Sequence, residues 1–184
     1  MNAYRLIIGL CWLAFIVVWA VFAVVGVRSG ARRSASGSMI RLTIFVLTIV
    51  LVNIGRFVPL APFGQATVAV AAAGSVVCVI GVAFASWARA ALGRSWGMPM
   101  DVHEDSQLVT SGPYAYVRHP IYTGLLLMMI GTALVYPLAA LPTLAILAYV
   151  LFSASREEQE MQRRFPDSYP QYRRRTKRLV PFVF

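Results

Sequence analysis

Residues 120–155 read PIYTGLLLMMIGTALVYPLAALPTLAILAYVLFSAS, 36 positions without a charged side chain, flanked by His119 and Arg156. A helix needs about 20 apolar residues to cross the hydrocarbon core of a bilayer. This run is too long for one ordinary helix and slightly short for two full spans with a loop. Tyr136-Pro137 and Pro142 interrupt it, because proline lacks the amide donor and pushes the residue before it out of helical geometry. The stretch therefore predicts a helical hairpin of two short or tilted helices, at about 120–136 and 139–155.

Upstream, residues 6–27 carry no charge. That is longer than a signal-peptide core of about 7–15 residues and predicts a retained first span. Between Arg41 and Arg56 only 14 residues are uncharged, but apolar character continues to Phe63. Both arginines can reach the interfaces with their long side chains, so a second span is predicted at about 40–60, closed by Pro59 and Pro62. Residues 65–88 form a third, in which Ala69, Ala73, Gly74, Cys78, Gly81 and Ala85 recur at near-helical spacing. Small residues so placed let helix backbones approach closely in lipid. The expected fold is all-α: a polytopic membrane protein with five transmembrane helices, the last two a hairpin, plus a cytoplasmic loop and a C-terminal helix or tail.

Composition agrees. The 184 residues are 59% hydrophobic and 13% charged, against about 45–50% and about 25% in soluble domains, which excludes a soluble globular enzyme. Lys plus Arg outnumber Asp plus Glu by 17 to 7. In a soluble chain that excess would suggest nucleic acid; in this one the nearer partner is the anionic face of a bilayer, and no nucleic acid is expected. With five spans, segments 28–41, 89–119 and 156–184 share one side and hold 15 of the 17 basic residues and all seven acidic ones. Only Arg5 and Arg56 fall opposite. By the positive-inside rule the rich side is cytoplasmic, which puts the N-terminus outside and the C-terminus in the cytoplasm. Four spans would divide the charge almost evenly. Cys11 and Cys78 both lie in apolar runs; they offer no disulfide framework or metal spacing and read as small hydrophobes.

Everything polar enough for chemistry thus collects at one face. Arg118-His119-Pro120 stands where the fourth span begins. Proline suits the first helical position, which places His119 at or near the N-cap. A helix N-terminus beside an arginine makes a site for a carboxylate or phosphate; the plainer reading is an arginine reaching lipid phosphate and a histidine capping a helix. Arg156-Glu157-Glu158-Gln159-Glu160 ends the fifth span. Carboxylates at a membrane boundary are costly without partners. The hairpin returns them to the side of His119, where they could bind hydroxyl and ammonium groups; otherwise they form surface ion pairs. Arg89 ends the third span, either reaching the interface or fixing a substrate carboxylate or phosphate. The tail from Phe165 to Arg178, with Tyr169, Tyr172 and a basic run, reads mainly as a membrane anchor. His103 sits in an acidic stretch, Asp101 to Asp105, without diagnostic metal spacing, so no metal is expected.

Residues 108–124, with the core Arg118-His119-Pro120-x-Tyr122-x-Gly124, followed about 40 residues later by Glu157-Glu158, resemble the isoprenylcysteine carboxyl methyltransferase and phospholipid methyltransferase superfamily. The resemblance runs from about Arg89 to Pro181 and includes the spacing of Phe165, Tyr169 and Tyr172 and a terminal Pro181-Phe182. Pro166 stands where the family usually has Gly, and Met161 where it usually has Leu; neither touches the proposed polar groups. The resemblance implies an integral-membrane enzyme that uses S-adenosylmethionine and releases S-adenosylhomocysteine. It implies that Leu108, Val109, Gly112 and Tyr114 line the adenosine side, that Arg118, His119, Tyr122 and Gly124 form the cofactor wall, and that Glu157 and Glu158 hold its polar groups. Arg89 would orient the acceptor's carboxylate. Residues 1–88 would then be the first three spans, and 89–184 an integrated catalytic unit. The expected partners are a lipophilic small-molecule or prenylated acceptor and membrane lipids, with carboxyl O-methylation as the reaction. A phospholipid or other small-acceptor N-, O- or S-methyltransferase, and a non-enzymatic membrane scaffold, are the alternatives.

Overall fold

The computed structural model describes residues 2–28, 66–93 and 108–181. The expected span at 40–60 and the acidic stretch around His103 lie outside them. The described residues form five α-helices: α1 (Asn2–Arg28), α2 (Val68–Leu92), α3 (Pro120–Val135), α4 (Ala140–Arg164) and α5 (Tyr169–Arg175). Short 3-10 turns occupy Gly112–Ala115 and Pro137–Ala139. The described residues hold no β-sheet, only an isolated parallel bridge between Val117 and Lys177. Three segments are long and apolar enough to cross a membrane, Ala3–Phe22, Val68–Leu92 and Pro137–Arg164, while Pro120–Val135 is a shorter apolar helix.

Prolines set the boundaries. Pro120 opens α3 at its first position, where the missing amide costs nothing. Tyr136, before Pro137, leaves helical geometry at φ −126° and ψ 90°. Pro142 is tolerated in the first turn of α4. α4 then continues nine residues past the predicted end at 155, to Arg164. The acidic cluster therefore lies within a helix and not at its C-terminus, and its conflict with the helix dipole disappears.

The core is a seam between α2 and α3, which run antiparallel. A Cβ on Gly81 would lie 2.7 Å from the carbonyl oxygen of Gly124, and one on Gly74 2.7 Å from that of Gly131. Only hydrogen fits at these crossings. Gly74, Cys78, Gly81 and Ala85 are buried as the small-residue pattern predicts, but Ala69 and Ala73 face outward while Ala71 and Ala88 are buried. Composition announced a close contact without fixing its phase.

α1 lies alongside and runs in the same direction as α2. Arg5 sits over the ring of Tyr136 at one end, and the Trp12 indole donates to Thr132 Oγ1 at 3.1 Å in the middle. At the other end the Arg89 guanidinium lies 4.3 Å from the ring centroid of Phe22. α4 runs antiparallel to α3, with Thr143 reaching the Met129 carbonyl near the turn and Tyr122 reaching Ser153 at the far end. The ends of α1, α2 and α4 and the start of α3 consequently gather at one pole of the bundle.

Candidate active site

At that pole α3 begins and the apolar part of α4 ends. Glu158 is 6% exposed and is held by two arginines, with His119 close by. Arg118 Nε donates to its Oε1 at 2.8 Å. Arg178 grips it as a fork, Nε to Oε1 at 3.2 Å and Nη2 to Oε2 at 2.8 Å. His119 Nε2 lies 3.4 Å from Oε1. A carboxylate so buried is tolerable only because its acceptors are filled. Arg178 keeps its charge all the more firmly for the carboxylate beside it.

Glu157 is different. Its side chain is about one-third exposed, and it accepts a hydrogen bond from the Tyr122 hydroxyl. That hydroxyl also lies 3.1 Å from Ser153 Oγ. His119 Nδ1 is 3.4 Å from Glu157 Oε2. The imidazole thus stands between two carboxylates and stacks on Tyr122, with ring centroids 5.7 Å apart. Burial would lower its pKa, but the adjacent Glu157 and Glu158 outweigh that and hold it above the ordinary histidine value. Its Nε2 is buried without a hydrogen-bond partner, in spite of its proximity to Glu158.

The side chains of these residues are turned into the protein. His119 occupies the N-cap of α3, yet its side chain makes no capping bond. Arg118 is 9% exposed and turned into the protein. Arg89 is 4% exposed, with Nη1 donating to the Gly93 carbonyl at 3.2 Å.

The C-terminal segment is the part that sequence reasoning underrated. The membrane-anchor reading is corrected for its aromatic residues: Tyr169 and Tyr172 are buried in the protein. The Tyr172 hydroxyl donates to the Tyr114 carbonyl at 2.8 Å. Burial raises the Tyr172 pKa, which keeps that hydroxyl a donor. Arg118 Nη1 donates to the carbonyls of Arg173 and Thr176. The backbone amides of Arg118 and His119 donate to the carbonyls of Lys177 and Arg178 at 2.8 and 3.1 Å, and Thr123 Oγ1 to that of Leu179 at 2.7 Å. Residues 169–179 therefore form a strap across the start of α3. Its tyrosine spacing was visible beforehand; the place of Arg178 in the site was not.

The structure thus brings together Arg118, His119, Tyr122, Glu157 and Glu158. Tyr114 adjoins them: it is buried in the turn before α3, and Tyr172, Arg89 and Glu157 all act on its hydroxyl electrostatically. Gly112, at φ 60°, packs that turn against Ala91 and Trp87 at the end of α2. Leu108 and Val109 lead into it as half-buried irregular chain. Gly124 faces the other way, with Ala85 2.7 Å from where its Cβ would be.

Residues 69–168 match the family described as phospholipid methyltransferase. The chain is 33% identical over 84 residues to a protein-S-isoprenylcysteine O-methyltransferase of Schizosaccharomyces pombe, covering 44% of this chain and 36% of that protein. It is 29% identical over 115 residues to a probable protein-S-isoprenylcysteine O-methyltransferase of Oryza sativa subsp. indica, covering 60% of each. It is also 33% identical over 96 residues to cobalt-zinc-cadmium resistance protein CzcN of Cupriavidus metallidurans, covering 50% of this chain and 44% of that one. The chain spans between about a third and three fifths of the length of these curated relatives. The match takes in α2, the turn at Gly112–Ala115, α3 and α4 with both carboxylates, and on that ground the chain belongs to the phospholipid methyltransferase family.

Proposed function

We propose that this chain transfers a methyl group from S-adenosylmethionine to an acceptor with a lipophilic tail, at the cytoplasmic face of a membrane, and that the acceptor group is a carboxylate of the isoprenylcysteine type. The observation that carries this reading is the meeting of His119 with Glu157 and Glu158 at 3.4 Å, across α3 and α4. The cofactor suits these residues. Glu157 has carboxylate surface open to hydroxyl or ammonium donors. The Nε2 of His119, 3.4 Å from Glu158 and making no hydrogen bond, can donate to an acceptor oxygen such as a carboxylate or ribose hydroxyl supplies. Arg118 and Arg178 hold Glu158 in place and offset its charge. Leu108, Val109, Gly112, Tyr114 and Tyr122 complete the cofactor site in this proposal, with Gly124 behind it holding α3 against α2.

S-adenosylmethionine, when bound, supplies an electrophilic methyl carbon on a sulfonium. The chain's own task is positioning. A carboxylate acceptor is already ionised at pH 7 and needs no base. Arg89, fixed against Phe22 and the end of α2, would hold it within the about 3–3.5 Å that a reacting pair needs. An amine acceptor is the second reading. It would have to lose a proton, and Glu157, part-exposed and hydrogen-bonded to Tyr122, is placed to take one.

The proposal retains five spans with the N-terminus outside, a membrane hairpin of α3 and α4, and residues 89–184 as the catalytic unit. α1 and α2 point the same way, as the first and third of the five proposed spans would. Reconstituted protein with radiolabelled methyl donor should label a prenylcysteine analogue, and Arg89→Ala should lower turnover while leaving cofactor affinity nearly unchanged. Label appearing only in lipid extracts would favour the amine reading; no transfer to either acceptor would remove the proposed activity.

A further inference from the structure

The strap has two faces. Tyr169, Tyr172 and Thr176 point inward and are buried. Arg173, Arg174, Arg175 and Lys177 point outward and are exposed. Within the described residues no ion pair involves any of these four outward cations. By contrast Arg163, also exposed, has Glu160 at 3.8 Å. Like charges crowded on two turns of chain repel one another unless counter-charge is supplied from outside.

Placement says what supplies it. Four residues, 165–168, separate the end of α4 from the start of α5. Fully extended they reach at most about 14 Å. The cationic ridge lies beside the start of the apolar helix α3, because Arg118 bonds to the carbonyls of Arg173 and Thr176. The ridge is also held in one orientation. Arg118 grips the carbonyls of Arg173 and Thr176, and Tyr172 is bonded to Tyr114.

We propose that the outward face formed by Arg173, Arg174, Arg175 and Lys177 docks on the anionic phospholipid headgroups of the leaflet at which α4 ends. The partner is the acidic lipid surface itself, and docking does not depend on the methyltransferase reading. Because Arg173 and Lys177 present their carbonyls to Arg118, bound lipid also fastens the strap over the start of α3. Zwitterionic lipid leaves the ridge uncompensated.

The test uses the full chain in mixed micelles of equimolar phosphatidylcholine and phosphatidylglycerol, with retained lipid read by native mass spectrometry. Wild type should retain phosphatidylglycerol preferentially. The preference should fall by well over tenfold in R173Q/R174Q/R175Q/K177Q, in line with basic residues near an anionic surface, and less in R174Q or K177Q alone. R163Q, outside the ridge, should keep it. The wild-type preference should also shrink between about 0.05 M and 0.5 M salt, as screening removes exposed charge interactions. Equal retention of both lipids by wild type, a salt-independent preference, or an undiminished preference in the single and multiple variants would each overturn the proposal. Binding of RNA without lipid preference would overturn it in favour of a different partner.

Discussion

The two ends of α3 are held by opposite means. Toward its C-terminal half, Gly131 meets Gly74 of α2 so closely that a methyl group would overlap backbone. Toward its N-terminus, Arg118 and His119 meet α4 and the strap through charges and carbonyls that reach across 40 to 60 positions of sequence. The seam is apolar and closely packed, and depends on what side chains lack. The polar pole depends on groups that satisfy one another, none of which is tolerable there alone. The seam sets the distance between α2 and α3; the pole then has one fixed geometry in which to assemble.

This contrast can be broken at either end. The largest effect is expected from Glu158→Ala. It leaves Arg118 buried beside another arginine without counter-charge, a loss of about 3–5 kcal/mol by the behaviour of broken buried pairs. The measurement is thermal unfolding in detergent, with Glu160→Ala, at an exposed pair, within about 1 kcal/mol of wild type as comparison. Gly81→Ala comes next. It forces a methyl against the Gly124 carbonyl and the Met128 amide and should cost about 1–3 kcal/mol, read in the same melts. A wild-type melt for Gly81→Ala would mean that the seam yields. Tyr172→Phe removes only the bond to the Tyr114 carbonyl and should cost about 1 kcal/mol; faster amide exchange at Arg118 and His119 would place that loss in the strap.

The smallest effect is a pH slope. His119 is held above its ordinary value of about 6.5 by its two carboxylates. The folded state therefore binds the proton more tightly than the unfolded one. The stability this contributes is complete below that ordinary value and is lost as pH rises through the higher folded value. Melting temperature should fall over that window in wild type, and this component should vanish in His119→Gln. An identical slope in the variant would assign the titration elsewhere.

The seam and the pole were unequally legible in the sequence. The break in residues 120–155 is written by Pro137, and the gathering of polar groups at one face by the distribution of arginines. Both are one-dimensional signals. The phase of the seam was not readable, because alanine and glycine occur on several faces of α2 and only packing selects Ala71 over Ala69. Glu157 and Glu158 are neighbours in sequence with like chemistry; their separation into an open and a saturated carboxylate arises from side-chain direction on α4. Arg178 was hidden for a similar reason. It lies among Arg173, Arg174, Arg175 and Lys177, and nothing in a run of cations tells which one turns inward. The strap's grip on Arg118 uses main-chain carbonyls, which every residue carries and no sequence pattern reports.

The central claim is that the start of α3, the carboxylates of α4 and the strap enclose one cofactor site. Calorimetric titration of purified protein with S-adenosylhomocysteine tests it most directly. One ligand should bind per chain, with affinity reduced at least tenfold in Glu157→Ala and in His119→Ala, both still folded by their melts. Absence of binding to well-folded wild type, or wild-type affinity in both variants, would contradict it.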